Sequence, residues 1–270
     1  MQKTIGFIGG GQMGEALIRG LIQSELYTKN DIFVAEPSSE RREYMISTYG
    51  INGHDNSDAV WKNCNTILLA VKPQIMGIVL EASKDLVTPE HLIISIAAGL
   101  PISFYEEGLG SNSCKIIRVM PNTPALVLEA ASGISGNANV SQQEMQDAEE
   151  IFNKIGKAVI LPESSIDAVT GLSGSGPAYV FTFAEALIDA GIEQGLPRPT
   201  AEKLALQTLL GSVKLLMESG KHPAELRAMV TSPGGTTIAA QHVLERSGFK
   251  GIVMDAVAAA VNRSKELGEN

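Results

Sequence analysis

The apolar run Ile5-Gly6-Phe7-Ile8 stops at Gly9-Gly10-Gly11-Gln12-Met13-Gly14, and an amphipathic segment from Glu15 to Ile22 begins at once. A strand, a tight turn and a helix in direct succession leave few folds open. Gly9, Gly11 and Gly14 stand at G-x-G-x-x-G spacing. Physically that means a turn tolerant of positive φ, a backbone able to approach a pyrophosphate, and close packing of helix on strand. The phosphates sit at the helix N-terminus, where unpaired N–H groups and the positive dipole end favour anions. A glycine fingerprint alone is weak, since a plain glycine turn looks the same. The strand before it, the helix after it, and the acid Glu36 following the second strand-like run Ile32-Phe33-Val34 together favour dinucleotide binding.

The alternation that begins there continues to about Leu161. Short β-branched runs at Ile5–Ile8, Ile32–Ala35, Thr66–Val71, Leu92–Ile96 and Lys115–Val119 alternate with helical patterns at Ser39–Tyr49, Ser57–Asn63 and Ile75–Leu86. That is the order of a parallel sheet with crossover helices. Right-handed crossovers place the strand C-termini on one edge, where such sheets bind ligands. At that edge Pro73 opens a helix after Ala70-Val71-Lys72, Ile96-Ala97-Ala98-Gly99 leaves room for a ribose or a flat ring, and Met120-Pro121-Asn122-Thr123-Pro124 forms a rigid loop with two polar side chains. Simple close packing explains the small residues at 97–99 equally well. Ala131–Ile134 and Ala158–Leu161 read as edge strands flanking a helix over Gln142–Ile155.

At Pro162-Glu163-Ser164-Ser165 the β-branched runs end, and the expected division is residues 1–162 and 163–270. The second part carries long helices at Pro177–Gln194, Thr200–Ser219, Ala239–Arg246 and Ile252–Leu267. Around Tyr179–Ile188 and Ile252–Val261 these are apolar on nearly every face, and such helices must be buried on every face. So short a segment can hardly do that alone, which points to an extensive subunit interface with helices of two chains interleaved.

Charge excludes several partners. The net charge is −9 with no Lys/Arg cluster, so neither nucleic acid nor an anionic membrane is expected. Cys64 and Cys114 lack the spacing of a disulfide framework or a metal site, and no apolar leader precedes the first strand. A cytoplasmic protein with reduced thiols and no metal is expected. Apolar residues make up 44% of the chain, ample for a core.

Two stretches rich in glycine and hydroxyls interrupt the helical part: Thr170-Gly171-Leu172-Ser173-Gly174-Ser175-Gly176-Pro177-Ala178-Tyr179 and Thr231-Ser232-Pro233-Gly234-Gly235-Thr236-Thr237. Each leads into a helix. Caps need some of these residues, but two stretches this dense exceed a capping role. N–H groups ahead of Thr236 and Thr237 form a nest for a substrate carboxylate without an arginine. His54, His91, His222 and His242 lie outside both stretches and read as surface or helix-packing residues, and no hydrolytic triad can be drawn. A cofactor domain joined to a pocket of hydroxyls and amides suits hydride transfer to an acceptor already electrophilic, such as a protonated imine.

At these residues the chain resembles the pyrroline-5-carboxylate reductase family over essentially its whole length. Gly6-Phe7-Ile8-Gly9 with Gln12-Met13, Ala70-Val71-Lys72-Pro73, Asn122-Thr123-Pro124, Asp167-Ala168-Val169-Thr170 with the Gly171–Tyr179 stretch, and Ser232-Pro233-Gly234-Gly235 with Thr237 match its motifs. The resemblance implies a Rossmann NAD(P)-binding domain followed by an all-helical dimerisation domain. It also implies reduction of Δ1-pyrroline-5-carboxylate to L-proline, and homodimers assembling into larger rings such as decamers. By the same resemblance Ile8, Gly9, Gly10, Gly11, Gln12, Met13, Asn56, Ala70, Val71, Lys72, Ala97 and Ala98 contact NADP or NAD, with Gly14, Glu36 and Pro73 completing that set. Ser232, Gly234, Gly235, Thr236 and Thr237 hold the small cyclic imino acid, together with Thr170 and Ser173, and Thr237 or Ser232 supplies the functional hydroxyl.

Cofactor choice stays open at this level. Glu36 occupies the place of an acid that accepts the ribose 2′-OH of NAD, yet Ser38, Ser39, Arg41 and Arg42 follow and suit a 2′-phosphate if Glu36 turns away. Other readings are an imine reductase for a different ring, a β-hydroxyacid dehydrogenase, and a non-catalytic dinucleotide sensor. Against the dehydrogenase, which relies on a lysine early in its long interdomain helix, Gly176–Gly195 contains no lysine. Against the sensor stands the intact Thr231–Thr237 loop.

Overall fold

The computed structural model describes residues 4–268. By its internal contacts the chain forms two compact units. The first runs to Ser175 and takes up the chain again from Ala260; the second is Gly176–Ala259.

The first unit is a single eight-stranded sheet. Its strands are β1 (Ile5–Ile8), β2 (Ile32–Ala35), β3 (Asn52–His54), β4 (Thr66–Leu69), β5 (Leu92–Ser95), β6 (Lys115–Met120), β7 (Ala130–Gly136) and β8 (Gly156–Ile160), in the order β3-β2-β1-β4-β5-β6-β7-β8. The helices between them are α1 (Gln12–Gln23), α2 (Ser39–Tyr49), α3 (Asp58–Asn63), α4 (Pro73–Ser83), α5 (Ile102–Leu109) and α6 (Gln142–Asn153). Alternate strand residues face opposite sides, as the pleat requires. Phe7, Leu68, Ile94 and Ile117 join one core with Leu17 of α1 and Phe152 of α6; Ile67, Leu69, Ile93 and Ile116 join another with Trp61, Met76 and Tyr105 of α3, α4 and α5. Burial on both faces is why these strands read as unbroken apolar runs.

The expectation of a wholly parallel sheet fails at one joint. β6 and β7 pair antiparallel, whereas β7 and β8 are parallel to each other. The β6–β7 connection holds only the 3₁₀ turn Thr123–Val127, too little chain for a crossover helix, so β7 returns beside its predecessor. The C-termini of β7 and β8 therefore leave from the opposite edge. β7 is also interior rather than an edge strand; the edges are β8 and β3. The short, polar β3 (Asn-Gly-His) and the helix α5 had no counterpart in the sequence reading.

The stretch 170–179 is not a capping loop. It continues a helical path from α7 (Ile166–Val169) through one π-turn, Thr170–Gly174, closed by Ser175 N–H on the Thr170 carbonyl at 2.8 Å. π-turns inside helices recur at functional sites. The helix α8 (Gly176–Glu193) follows, then α9 (Arg198–Ser219), α10 (Pro223–Met229), α11 (Thr236–Arg246) and α12 (Phe249–Gly268). The last turns of α12 belong to the first unit, where the Ser264 hydroxyl donates to Asp167 Oδ1 at 2.7 Å.

Within the second unit α8 and α9 pack closely where small residues meet: a Cβ on Gly191 would come within 3.0 Å of Ala201 Cβ. Ala184, Ala201 and Ala205 are buried, while Phe181, Met217, Ile252 and Met254 are each more than 60% exposed.

Candidate active site

The sheet order reverses between β1 and β4, and the loops after both strands touch there. Gly9, at φ +103°, donates its N–H to the Ala35 carbonyl at 2.9 Å, and a Cβ on it would lie 2.7 Å from the Ala70 carbonyl oxygen. A Cβ on Gly14 would lie 2.8 Å from the Gly9 carbonyl oxygen. These two glycines are thus demanded by packing and backbone conformation. Gly11 is not: a Cβ there meets nothing within 4 Å, and its backbone is extended. Gly11 thus has open space around its Cβ position, and no side chain caps the first-turn N–H groups of α1, which leaves bare amides at the helix start. That cradle fits a dinucleotide pyrophosphate.

The other expected cofactor residues follow the C-termini of neighbouring parallel strands. Glu36 leaves β2, Asn56 lies just past β3, Ala70 to Pro73 leave β4, and Ala97 and Ala98 follow β5. Strand order alone brings them to the same edge as Ile8 to Gly14. Lys72 is the N-cap of α4 and Pro73 its first residue. The Asn56 amide oxygen accepts from Asp58 N–H at 3.1 Å, and Ala97 N–H donates to the Ser95 hydroxyl at 3.3 Å.

Glu36 does not swing away. One carboxylate oxygen accepts Gly10 N–H and the other Ser38 N–H, both at 3.0 Å, fixing the acid against the glycine turn. Arg41 also reaches this turn, its Nε donating to the Gly10 carbonyl at 2.6 Å. Its other end pairs with Glu15, which in turn accepts Tyr44 at 3.0 Å and Tyr49 at 2.6 Å. Partial burial would raise the Glu15 pKa, but the hydrogen bonds from Tyr49, Arg41 and Tyr44 outweigh it and hold the carboxyl below the usual range. Glu15 was missed from the sequence: an acid in a first helical turn is ordinary, and its partners lie on a different helix.

Asn122, one of the two polar side chains of the rigid loop after β6, is engaged within the protein. Its Oδ1 accepts Ala131 N–H at 2.9 Å and its Nδ2 donates to the Ser173 carbonyl at 3.0 Å, tying the loop after β6 to the π-turn. The hydroxyls of Thr170 and Ser173 donate to the carbonyls of Ile166 and Val169 at 2.9 and 3.1 Å. Their oxygens keep acceptor capacity but their protons are spent within the helix.

The second hydroxyl-rich stretch lies in the other unit. Gly234 sits at φ +66°, Gly235 N–H closes on the Ser232 carbonyl at 3.1 Å, and a Cβ on Gly235 would fall 2.3 Å from Ser232 Oγ. The left-handed backbone at Gly234 favours glycine, and a Cβ at Gly235 would displace the Ser232 hydroxyl. Gly235 is the N-cap of α11 and caps it with no side chain, so the first-turn amides of Thr236 and Thr237 have no side-chain acceptor. Thr231, Gly234 and Gly235 line a groove of about 930 Å³ with Arg227, Ile238 and His242, while Ser232, Thr236 and Thr237 lie outside its lining.

Of the histidines, His222 caps α10 through Nδ1, and His91 is buried ahead of β5, packed edge-on against Trp61 of α3. Cys64 and Cys114 are buried free thiols; burial pushes Cys64 up to about 12 and raises Cys114 as well. Among the described residues no cluster of potential ligands could hold a metal ion, and no helix is long and apolar enough to cross a membrane.

The chain matches known proteins over its whole length. Residues 163–267 match the family model described as pyrroline-5-carboxylate reductase dimerisation, and residues 4–99 the one described as NADP oxidoreductase coenzyme F420-dependent. A pyrroline-5-carboxylate reductase of Methanosarcina acetivorans is 44% identical over 99% of this chain and 98% of its own. The solved reductase from Coxiella burnetii superposes with a TM-score of 0.95 at 37% identity, with both chains fully covered. That from Plasmodium falciparum, determined with NADP bound, gives 0.88 at 38% identity over 99% of each chain.

Proposed function

The chain belongs to the pyrroline-5-carboxylate reductase family, and from that membership we propose how its residues divide the work. It is an NAD(P)-dependent oxidoreductase acting on a CH–NH group, reducing Δ1-pyrroline-5-carboxylate to L-proline in proline biosynthesis. The observation that supports the assignment of parts is the turn ahead of α1, where Gly9 and Gly14 bring strand and helix together and no side chain caps the first-turn amides. Reduced NAD(P), when bound, supplies the hydride. Ile8 to Gly14, Glu36, Asn56, Ala70 to Pro73, Ala97 and Ala98 hold it, with the amides at the start of α1 on the pyrophosphate. Gly234, Gly235, Thr236 and Thr237 hold the imino acid, their amides receiving its carboxylate, and Thr170 and Ser173 offer hydroxyl oxygens as acceptors. The imine carbon gains the hydride and the ring nitrogen gains a proton. The Thr237 hydroxyl, too weak an acid to act as a histidine does, orients that nitrogen by a hydrogen bond and relays a proton from water; Ser232 is the alternative for the same task.

A cofactor domain of residues 1–162 and a helical substrate domain of 163–270 are proposed from the composition change at Pro162, supported by a family match that starts at residue 163. The helical half joins subunits. We propose an interleaved homodimer, because Phe181, Met217, Ile252 and Met254 leave an apolar surface that one chain does not cover, with dimers assembling into a ring such as a decamer. The thiols, buried and unpaired, support a cytoplasmic setting.

Turnover of the full chain with pyrroline-5-carboxylate, followed by loss of NADH or NADPH absorbance, tests the reading. Oxidation that depends on the imine, with proline as product, is expected; no oxidation with either nucleotide would overturn it. Sedimentation of the full chain at low micromolar concentration tests the assembly, and a folded monomer would remove the interleaved dimer.

A further inference from the structure

We propose that Glu15 makes this chain prefer NADH, by holding Arg41 on α1 and so withholding from the ribose end of the cradle the charge that a 2′-phosphate needs. The inference rests on the dinucleotide reading of the glycine turn. At the C-terminus of β2 the two arginines suited to a 2′-phosphate are engaged within the protein, while the Ser38 hydroxyl serves as an acceptor and Ser39 is exposed. The Ser38 hydroxyl accepts Arg41 N–H at 3.4 Å as the N-cap of α2. Arg42 Nη1 donates to the carbonyls of Glu36 at 2.7 Å and Pro37 at 3.2 Å. Arg41 donates from Nε to the Gly10 carbonyl, pairs with Glu15, and lies over the Tyr44 ring at 5.0 Å.

A partly exposed ion pair is a weak fastener by itself. Here the fastening is geometric. Glu15 is held by two tyrosine hydroxyls besides the arginine, and Arg41 by a carbonyl and an aromatic face besides the acid, so neither can turn without breaking several contacts. Glu36 supplies the complementary half. Its carboxylate, fixed by Gly10 and Ser38 N–H groups, has lone pairs left for ribose hydroxyls, which donate. A 2′-phosphate in that place has no proton to offer and meets a like charge, which reduces affinity by roughly tenfold. Arg41 is then not a phosphate ligand in waiting but a strut, and Glu15 is the positioning residue that keeps it so.

The test is equilibrium binding of NADH and of NADPH to the full chain, by nucleotide fluorescence or calorimetry with no substrate present. Wild type is expected to bind NADH roughly tenfold more tightly. Glu15→Gln keeps the side chain's size and an acceptor for the tyrosines but removes the charge; NADPH affinity should rise about three- to tenfold while the NADH constant moves much less. Arg41→Ala in the Glu15→Gln background should erase that gain. Arg41→Ala alone should not weaken NADPH selectively, because the locked arginine does not serve the phosphate. A purely structural role for Glu15 moves both nucleotides together and would overturn the proposal, as would tighter NADPH binding by wild type or a selective NADPH loss in Arg41→Ala. If neither nucleotide binds the folded wild type, the cofactor reading of the glycine turn itself fails.

Discussion

Asn122 and Ser173 are joined by a hydrogen bond of 3.0 Å from the Asn122 amide to the Ser173 carbonyl, while the other end of the same amide accepts Ala131 N–H. One side chain thereby fixes the start of β7 and the π-turn ahead of α8. Asn122→Ala should destabilise the fold by about 1–3 kcal/mol, since two partly buried backbone groups lose their partner. Calorimetric unfolding checks this; a change under about 0.5 kcal/mol would mean water replaces the amide without loss.

Arg118 of β6 is nearly buried, and its Nη1 stands 3.2 Å from Glu163 Oε1, which also accepts Ile102 N–H at 2.7 Å. A buried guanidinium without its counter-charge is costly. Glu163→Gln is expected to lose about 3 kcal/mol in chemical unfolding, and adding Arg118→Met should recover part of that loss. If the double variant is no more stable than Glu163→Gln, the guanidinium is solvated and the pair is incidental.

His91 carries a pH dependence. Thr88 N–H can only donate to its Nδ1, at 3.0 Å, and the Trp61 carbonyl can only accept from its Nε2, at 3.0 Å, so both partners select the neutral ring protonated at Nε2. Burial lowers its pKa from the ordinary 6.5, against smaller upward pulls from the Trp61 carbonyl and Glu90. With the folded value depressed, the unfolded chain takes up the proton first as pH falls. Stability from this site is complete above pH 6.5 and is lost below it, down through the folded pKa. Between wild type and His91→Gln, the slope of unfolding free energy against pH in that window should differ by up to about 1.4 kcal/mol per pH unit. Parallel slopes would show that His91 does not titrate with folding.

Thr237→Val should retain the fold and nucleotide binding while kcat/KM for the imine falls roughly 10- to 1000-fold, the usual loss when a positioned hydrogen bond that strengthens in the transition state is removed. Steady-state kinetics across neutral and alkaline pH decide it. Retention of more than about half of the wild-type value would pass the role to Ser232.

What the amino-acid order settles by itself is local. The run Ile5–Ile8 followed by glycines at 9, 11 and 14 determines a strand, a turn and a helix start, because apolar periodicity and the conformational freedom of glycine act over a few residues. The bounds of β1, β2 and α2 were legible for the same reason, and β3 was not, since Asn-Gly-His carries no apolar signal. Sequence also carried the apolar helices of the second half to a subunit interface, because a helix with no polar face must be covered whatever its neighbours are. The reversal of β7 is decided in three dimensions, where a connection too short for a crossover helix sends the strand back beside β6. So are the partners of polar side chains. Glu36 stands at the spacing expected of a ribose-binding acid, but that it faces the Gly10 amide, that Arg41 is held by Glu15 from another helix, and that Asn122 is spent on Ala131 and Ser173 depend on segments distant in sequence. A hydrogen bond is set by a few tenths of an ångström and an angle, and only the packed sheet and its helices fix those across separate stretches of chain.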